Sequence, residues 1–225
     1  MNYHIDTGLI YEKAGEDCEC PLCEIRKKVE EQFLHEFLND AVMEETTRAK
    51  VNAKGFCSRH FDMLFSRQNK LSVALQIGTR VDTLMKSLKE LNGVGQAKKQ
   101  ADFIKKSSST CIICDLTEES MVKYYKTIAQ MYAKEENFYK TLLKTKGFCL
   151  EHYAELLSYS SYAGRYAKEY VNTLSGIETR NFKRLQEELK GFCDKHDYRN
   201  ALTPLGSSET ALPRMGIKLY GDKQK

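Results

Sequence analysis

Ile25, Val29, Phe33 and Phe37 recur every four residues, with Leu34 and Leu38 beside them. That spacing predicts one apolar stripe on a helix starting near Pro21. Proline suits a first helical turn, where its missing N–H costs nothing. A short helix is predicted over roughly Glu44 to Lys54, ended by Gly55 in a left-handed conformation. A new helix opens near Cys57. Ala74, Ile77, Val81, Leu84, Leu88 and Leu91 alternate three- and four-residue steps. That is a heptad seam and predicts packing against another helix. Met121, Tyr125, Ile128 and Tyr132 mark a further helix. Val171, Leu174, Ile177, Phe182, Leu185 and Leu189 mark a long last one, with an irregular five-residue step after Ile177. No convincing period-two strand is present. The expected fold is all-α.

The chain repeats one pattern. Cys20-Pro21-Leu22-Cys23 is followed by Gly55-Phe56-Cys57-Ser58-Arg59-His60. Cys111-Ile112-Ile113-Cys114 is followed by Gly147-Phe148-Cys149-Leu150-Glu151-His152. The offsets are 91 residues at the first motif and 92 at the second. The expected organisation is an N-terminal arm (1–19), a first helical zinc repeat (20–92), a Lys/Ser-rich connector (93–110), a second zinc repeat (111–196) and a C-terminal tail (197–225). The arm reads as polar, with an acidic patch at Glu16, Asp17 and Glu19. The tail reads as packing on the helical body, with a helix after Ser207 or Ser208.

Composition narrows the function. The longest apolar run is four residues, Cys111 to Cys114, whereas a membrane-spanning helix needs about 20. Residues 1–19 carry neither the basic nor the apolar region of a secretory signal, so the expected compartment is the cytoplasm. Net charge is +4 and pI about 8.5. That is weak for a nucleic-acid domain, and the lysines between Gly93 and Thr110 read as a solvated connector. A reducing compartment argues against disulfides among the eight cysteines and toward metal or thiol chemistry.

Each copy supplies three Cys and one His, a full ligand set for a Cys3His zinc site. Residues i and i+3 share a helical face, so Cys57 and His60 can address one ion, as can Cys20 and Cys23. The expectation is one zinc per copy, pinning the start of its first helix to the start of its third. Three thiolates, a neutral imidazole and Zn²⁺ sum to one negative charge, which suits helix N-termini. Inert thiols, disulfides and an iron–sulfur cluster are the alternatives; a single His among three Cys favours zinc over iron.

Other candidates carry less. Cys193 and His196 repeat the second half-motif without a partner C-x2-C. A third site would need His4 and Cys18, and the expectation is that none forms. Gly191 is expected to end the preceding helix. His35 reads as a structural or surface histidine. Asp197-Tyr198-Arg199-Asn200 reads as a turn. Gln68-Asn69 reads as a polar break in the third helix rather than a site. Tyr159, Tyr162, Tyr166 and Tyr170 read as packing on a helix face. Walker, Rossmann, zinc-protease and nucleophile-elbow motifs are absent.

Cys18 to Cys23, Gly55 to Phe61, Gln68-Asn69, Gly147 to Tyr153, Asp197 to Asn200 and Ala211-Leu212-Pro213-Arg214 together resemble an uncharacterised bacterial family, the domain of unknown function 6062 of anaerobic Firmicutes. The resemblance spans nearly the whole chain. It implies a helical bacterial protein with two Cys/His quartets. Cys20, Cys23, Cys57, His60, Cys111, Cys114, Cys149 and His152 are the implied ligands. It implies no activity, and this chain departs from the pattern at Cys193 and His196. The expected function is a cytoplasmic adaptor or binding module with two structural zinc ions. Its partner would be a protein or small molecule rather than nucleic acid or membrane. The alternatives are a thiol-based redox or metal sensor and, behind it, a metalloenzyme.

Overall fold

A computed structural model describes residue 5 and residues 7–39, 42–88, 90–195 and 206–222. The helices are α1 (Thr7–Gly15), α2 (Pro21–Leu38), α3 (Glu45–Lys54), α4 (Ser58–Phe65), α5 (Lys70–Ser87) and α6 (Val94–Ser108), then α7 (Ile112–Lys134), α8 (Glu136–Lys144), α9 (Leu150–Ser158), α10 (Ala167–Lys195) and α11 (Ala211–Tyr220). Two 3-10 turns, Ser160–Tyr166 and Gly206–Thr210, precede α10 and α11. The fold is all-α, with no strand among the described residues. No described helix is long and apolar enough to cross a membrane.

The chain divides into two compact units: residues 1–27 with 121–225, and residues 28–120. Each division point falls inside or beside a long helix, within α2 and within α7.

In the first unit, α7 buries Met121, Tyr125, Ile128 and Met131. The long α10 buries Tyr170, Leu174, Ile177, Glu178, Asn181 and Leu185. Its irregular step is therefore filled by two polar residues. Asn181 Nδ2 donates to Ile177 O at 2.9 Å, and Glu178 Oε1 accepts from Phe148 N–H. The stripe is continuous in space, although one stretch of it is polar.

Three expectations are corrected in this unit. The N-terminal arm contains a helix, α1, which buries Ile10 and Ala14 and packs on α8. Tyr11 hydroxyl donates to Glu135 at 2.7 Å, and its ring meets Phe138 edge-on. Gly191 does not end α10, which continues to Lys195. A Cβ at Gly191 would lie 2.9 Å from Ser208 Oγ, so the glycine serves close approach rather than termination. The tyrosines from Tyr159 to Tyr170 do not share one helix face, because the chain kinks at Gly164, with φ 59° and ψ −128°. They still pack: Tyr159 stacks on Tyr125, and Tyr170 is buried against Tyr132. The tail behaves as expected, with α11 on α9 and α10.

In the second unit, Leu34, Phe37, Leu38, Val51, Leu64, Val73 and Ile112 form the core. Asn69 accepts from Ser72 N–H at the start of α5, so Gln68-Asn69 is the expected break. The heptad seam is corrected. Val81, Leu88 and Leu91 are exposed, and α5 ends at Ser87. The buried face of α5 is instead Ser72, Val73, Gln76 and Arg80. Helix ends leave carbonyls without partners, and these polar residues supply them. Gln76 Nε2 donates to Phe37 O at 2.6 Å, beside the end of α2. Arg80 donates to Asn52 O and Ala53 O at the end of α3, and to Ser107 O. The polar obligations outrank the apolar stripe. The Lys-rich connector is helical, as α6, and buries none of its residues.

Candidate metal centres

Four of the predicted residues, Cys20, Cys23, Cys149 and His152, converge in the first unit. The other four, Cys57, His60, Cys111 and Cys114, converge in the second. Within each group the ligand atoms all lie within 4.8 Å of one another. All eight predicted residues fall in one group or the other. The pairing is not the expected one: each C-x2-C meets the C-x2-H of the other copy.

Each histidine is held within its own unit. His60 Nε2 lies 2.7 Å from Glu30 Oε1. His152 packs beside the Tyr125 ring at 6.1 Å. In sequence, Glu30 follows Cys20 by ten residues and Tyr125 follows Cys111 by fourteen.

The local geometry follows from the motif. Cys57 and Cys149 occupy the N-cap positions of α4 and α9, and each histidine follows one turn later. Gly55 and Gly147 have φ of 67° and 80°, turning the chain into those caps. Cys20 and Cys111 stand one residue before α2 and α7, and their carbonyls accept from Cys23 and Asp115 N–H. The sulfur atoms therefore sit at helix N-termini, where partial positive charge favours thiolate.

Distances fit a tetrahedral ion. Cys23 Sγ to Cys149 Sγ is 3.8 Å, and Cys57 Sγ to Cys114 Sγ is 3.9 Å. Zinc–sulfur bonds of ~2.3 Å at tetrahedral angles imply an edge of ~3.8 Å. A disulfide needs ~2.05 Å. His152 Nδ1 lies 3.4, 3.4 and 3.2 Å from Cys20, Cys23 and Cys149. His60 Nδ1 lies 3.3, 3.2 and 3.3 Å from Cys57, Cys111 and Cys114. In both centres Nδ1 is the inward nitrogen. The donor set and its spacing fit zinc.

The thiols are not electrostatically alike: burial pushes Cys20 and Cys114 up, while Cys111 and Cys149 are lowered. In the second unit burial opposes ionisation of Cys111, yet its bond with His60 and nearby N–H groups bring the thiol down to about 6. Burial also opposes protonation of His60, yet bonds to Cys111 and Glu30 raise it to about 9. In the first unit, hydrogen bonds from Cys20 and Cys23 drive Cys149 far down.

Several supporting residues were not foreseen. Glu30 is buried, accepts from His60, and is held by Arg59 at 2.6 and 2.5 Å. Such a carboxylate fixes the ring and tautomer of a ligating histidine. Aligning the two copies would have flagged it, because Glu30 falls opposite the fully buried Met121. His152 Nε2 is buried and has no hydrogen-bond partner among the described residues. Lys218 is fully buried and donates to Phe148 O at 3.1 Å and to Lys146 O. Glu178 accepts from Phe148 N–H at 2.5 Å. Together they clamp the Gly147-Phe148-Cys149 turn.

The remaining candidates among the described residues stay out of both centres. Cys18 Sγ donates to Lys13 O at 3.8 Å, Cys193 is exposed on α10, and His35 is exposed on α2. His4, His196 and Asp197 to Asn200 lie outside the described residues.

No curated protein and no solved structure matches the chain. The sequence model of one family, described as a family of unknown function (DUF6062), matches residues 1–225, and the chain belongs to that family.

Proposed function

We propose that this protein holds two zinc ions, one in each unit, as structural staples, and that it works as a binding or adaptor module in a reducing, cytoplasmic setting. One observation carries the reading: three sulfurs and one imidazole nitrogen fall within 4.8 Å of one another twice over. Four protein donors complete a tetrahedral shell and leave no position for substrate. Metal binding free energy is then folding free energy, because no such site exists in the unfolded chain. The helical surface is left to meet a protein or small-molecule partner.

The test is elemental analysis and native mass spectrometry of protein expressed without added metal, with X-ray absorption at the metal edge for identity and ligands. Two zinc per chain is expected, each bound by three sulfurs and one nitrogen. Fewer than one zinc, with every thiol free to titrate, would remove the proposal. A metal- or redox-sensing role is the second reading, and the exposure of Cys114 favours it.

A further inference from the structure

We propose that the two centres differ in lability: Cys57/His60/Cys111/Cys114 gives up its metal through Cys114, while Cys20/Cys23/Cys149/His152 retains its own. This rests on the zinc-binding reading and adds to it a division of labour, one exchangeable ion and one fixed ion.

The observation is access. In the first unit all four ligands are buried, at 2%, 4%, 1% and 2% exposure for Cys20, Cys23, Cys149 and His152. The end of the described chain lies against two of them, Cys23 and Cys149. Asp222 N–H donates to Cys23 Sγ at 3.4 Å, and a Cβ at Gly221 would stand 3.8 Å from Cys149 Sγ. That cover is fastened by the Asp222–Lys27 ion pair and by buried Lys218 one turn earlier. An incoming ligand meets backbone before it meets sulfur.

In the second unit Cys114 is exposed and Cys57 half-buried, while Cys111 and His60 are buried. His60 is further pinned by Glu30 and Arg59. The loose corner is therefore a thiolate, not the imidazole. Exchange can proceed there without unfolding: a donor atom of a small chelator or thiol bonds the metal, the bond to Cys114 breaks, and the released thiolate takes a proton from water. The same step in the first unit needs its cover to open locally, and local opening carries its own free-energy cost.

The experiment uses the full chain loaded with two zinc ions. It is mixed with excess ethylenediaminetetraacetate and followed by native mass spectrometry. In parallel, brief pulses of iodoacetamide, whose carbon bonds to sulfur as iodide leaves, are mapped by peptide mass spectrometry. One zinc should leave about a hundredfold faster than the other, or more, the ratio that ~2.7 kcal/mol of local opening corresponds to. Labelling should begin at Cys114 and spread to Cys57 and Cys111, with Cys20, Cys23 and Cys149 protected while one zinc remains. The surface thiol Cys193 labels at once and serves as the reference. Two zinc ions lost together, or labelling that begins at Cys20, Cys23 or Cys149, would overturn this inference and leave the proposed function standing. A chain that takes up fewer than one zinc ion on loading, with every thiol free to titrate, would overturn both.

Discussion

Gly147→Ala tests how the first centre is built. Gly147 has φ 80°, and a Cβ there would lie 2.5 Å from Glu178 Oε1 and 2.9 Å from its Cδ. Two costs arise. A left-handed backbone costs a non-glycine residue ~1–2 kcal/mol. The methyl group also displaces the carboxylate that accepts from Phe148 N–H at 2.5 Å. Losing a hydrogen bond to a charged group and stranding a buried N–H costs a further ~1.5–3 kcal/mol. The sum is about 3–5 kcal/mol, a large part of the ~5–15 kcal/mol that keeps a domain folded. Gly55→Ala is the internal control. Its φ is 67°, but its nearest neighbour is Arg80 Nε at 3.3 Å, a contact that a shift of a few tenths of an ångström relieves. It should cost only its conformational share, ~1–2 kcal/mol. The chain has no Trp, so urea unfolding of the zinc-loaded variants is followed by far-ultraviolet circular dichroism. Gly147→Ala should exceed Gly55→Ala, and the excess should vanish in a Glu178→Ala background, where the obstructing oxygen is gone. Equal costs for the two glycines, or an excess that survives removal of Glu178, would refute the reasoning.

Glu30→Gln should weaken zinc binding at Cys57/His60/Cys111/Cys114 about 10–100-fold and leave Cys20/Cys23/Cys149/His152 unchanged. Competition against a chromophoric chelator measures this, and equal weakening of both centres would contradict the assignment. Burial pushes the Glu178 carboxyl up to about 7 from 4.5. A raised acid favours the folded state fully below about pH 4.5 and loses that contribution as pH climbs through 7. Glu178→Gln should therefore gain stability on the parent by ~2 kcal/mol between about pH 5.5 and 8, and unfolding midpoints that stay parallel over that range would rule this out.

The helices were legible because local rules set them. The α3 helix was expected over Glu44 to Lys54 and spans Glu45–Lys54, ended by Gly55 with positive φ. All eight residues that converge in the two centres were named from spacing, since C-x2-C and C-x2-H each fix a pair on one helical turn. Which pair meets which was not legible, because spacing within a turn carries no information about where a helix ends up. The clearest clue lay in Glu30, a charged residue at the position that Met121 holds in the other copy. The α5 seam misled for a related reason. Apolar periodicity reports what a helix can bury, but Gln76 and Arg80 were committed to the carbonyls at the ends of α2 and α3. Hydrogen-bond accounts of that kind are settled only in three dimensions.

The crossed pairing also orders the assembly of the chain. Had each copy closed on itself, the metals would tie two loops in series, each complete without the other. As built, one loop is nested in the other: Cys57 to Cys114 spans 57 residues, inside the 132 from Cys20 to His152. Loop-closure entropy grows with the logarithm of length, so the inner loop closes more cheaply. Once closed, it shortens the outer path to about 75 residues and lowers the outer closure cost by ~0.5 kcal/mol. During synthesis the inner ligand set is complete when Cys114 emerges, while the outer set waits for His152. On the proposed zinc reading, the centre with the exposed cysteine is thus the first whose ligand set is complete, and the buried one is the second.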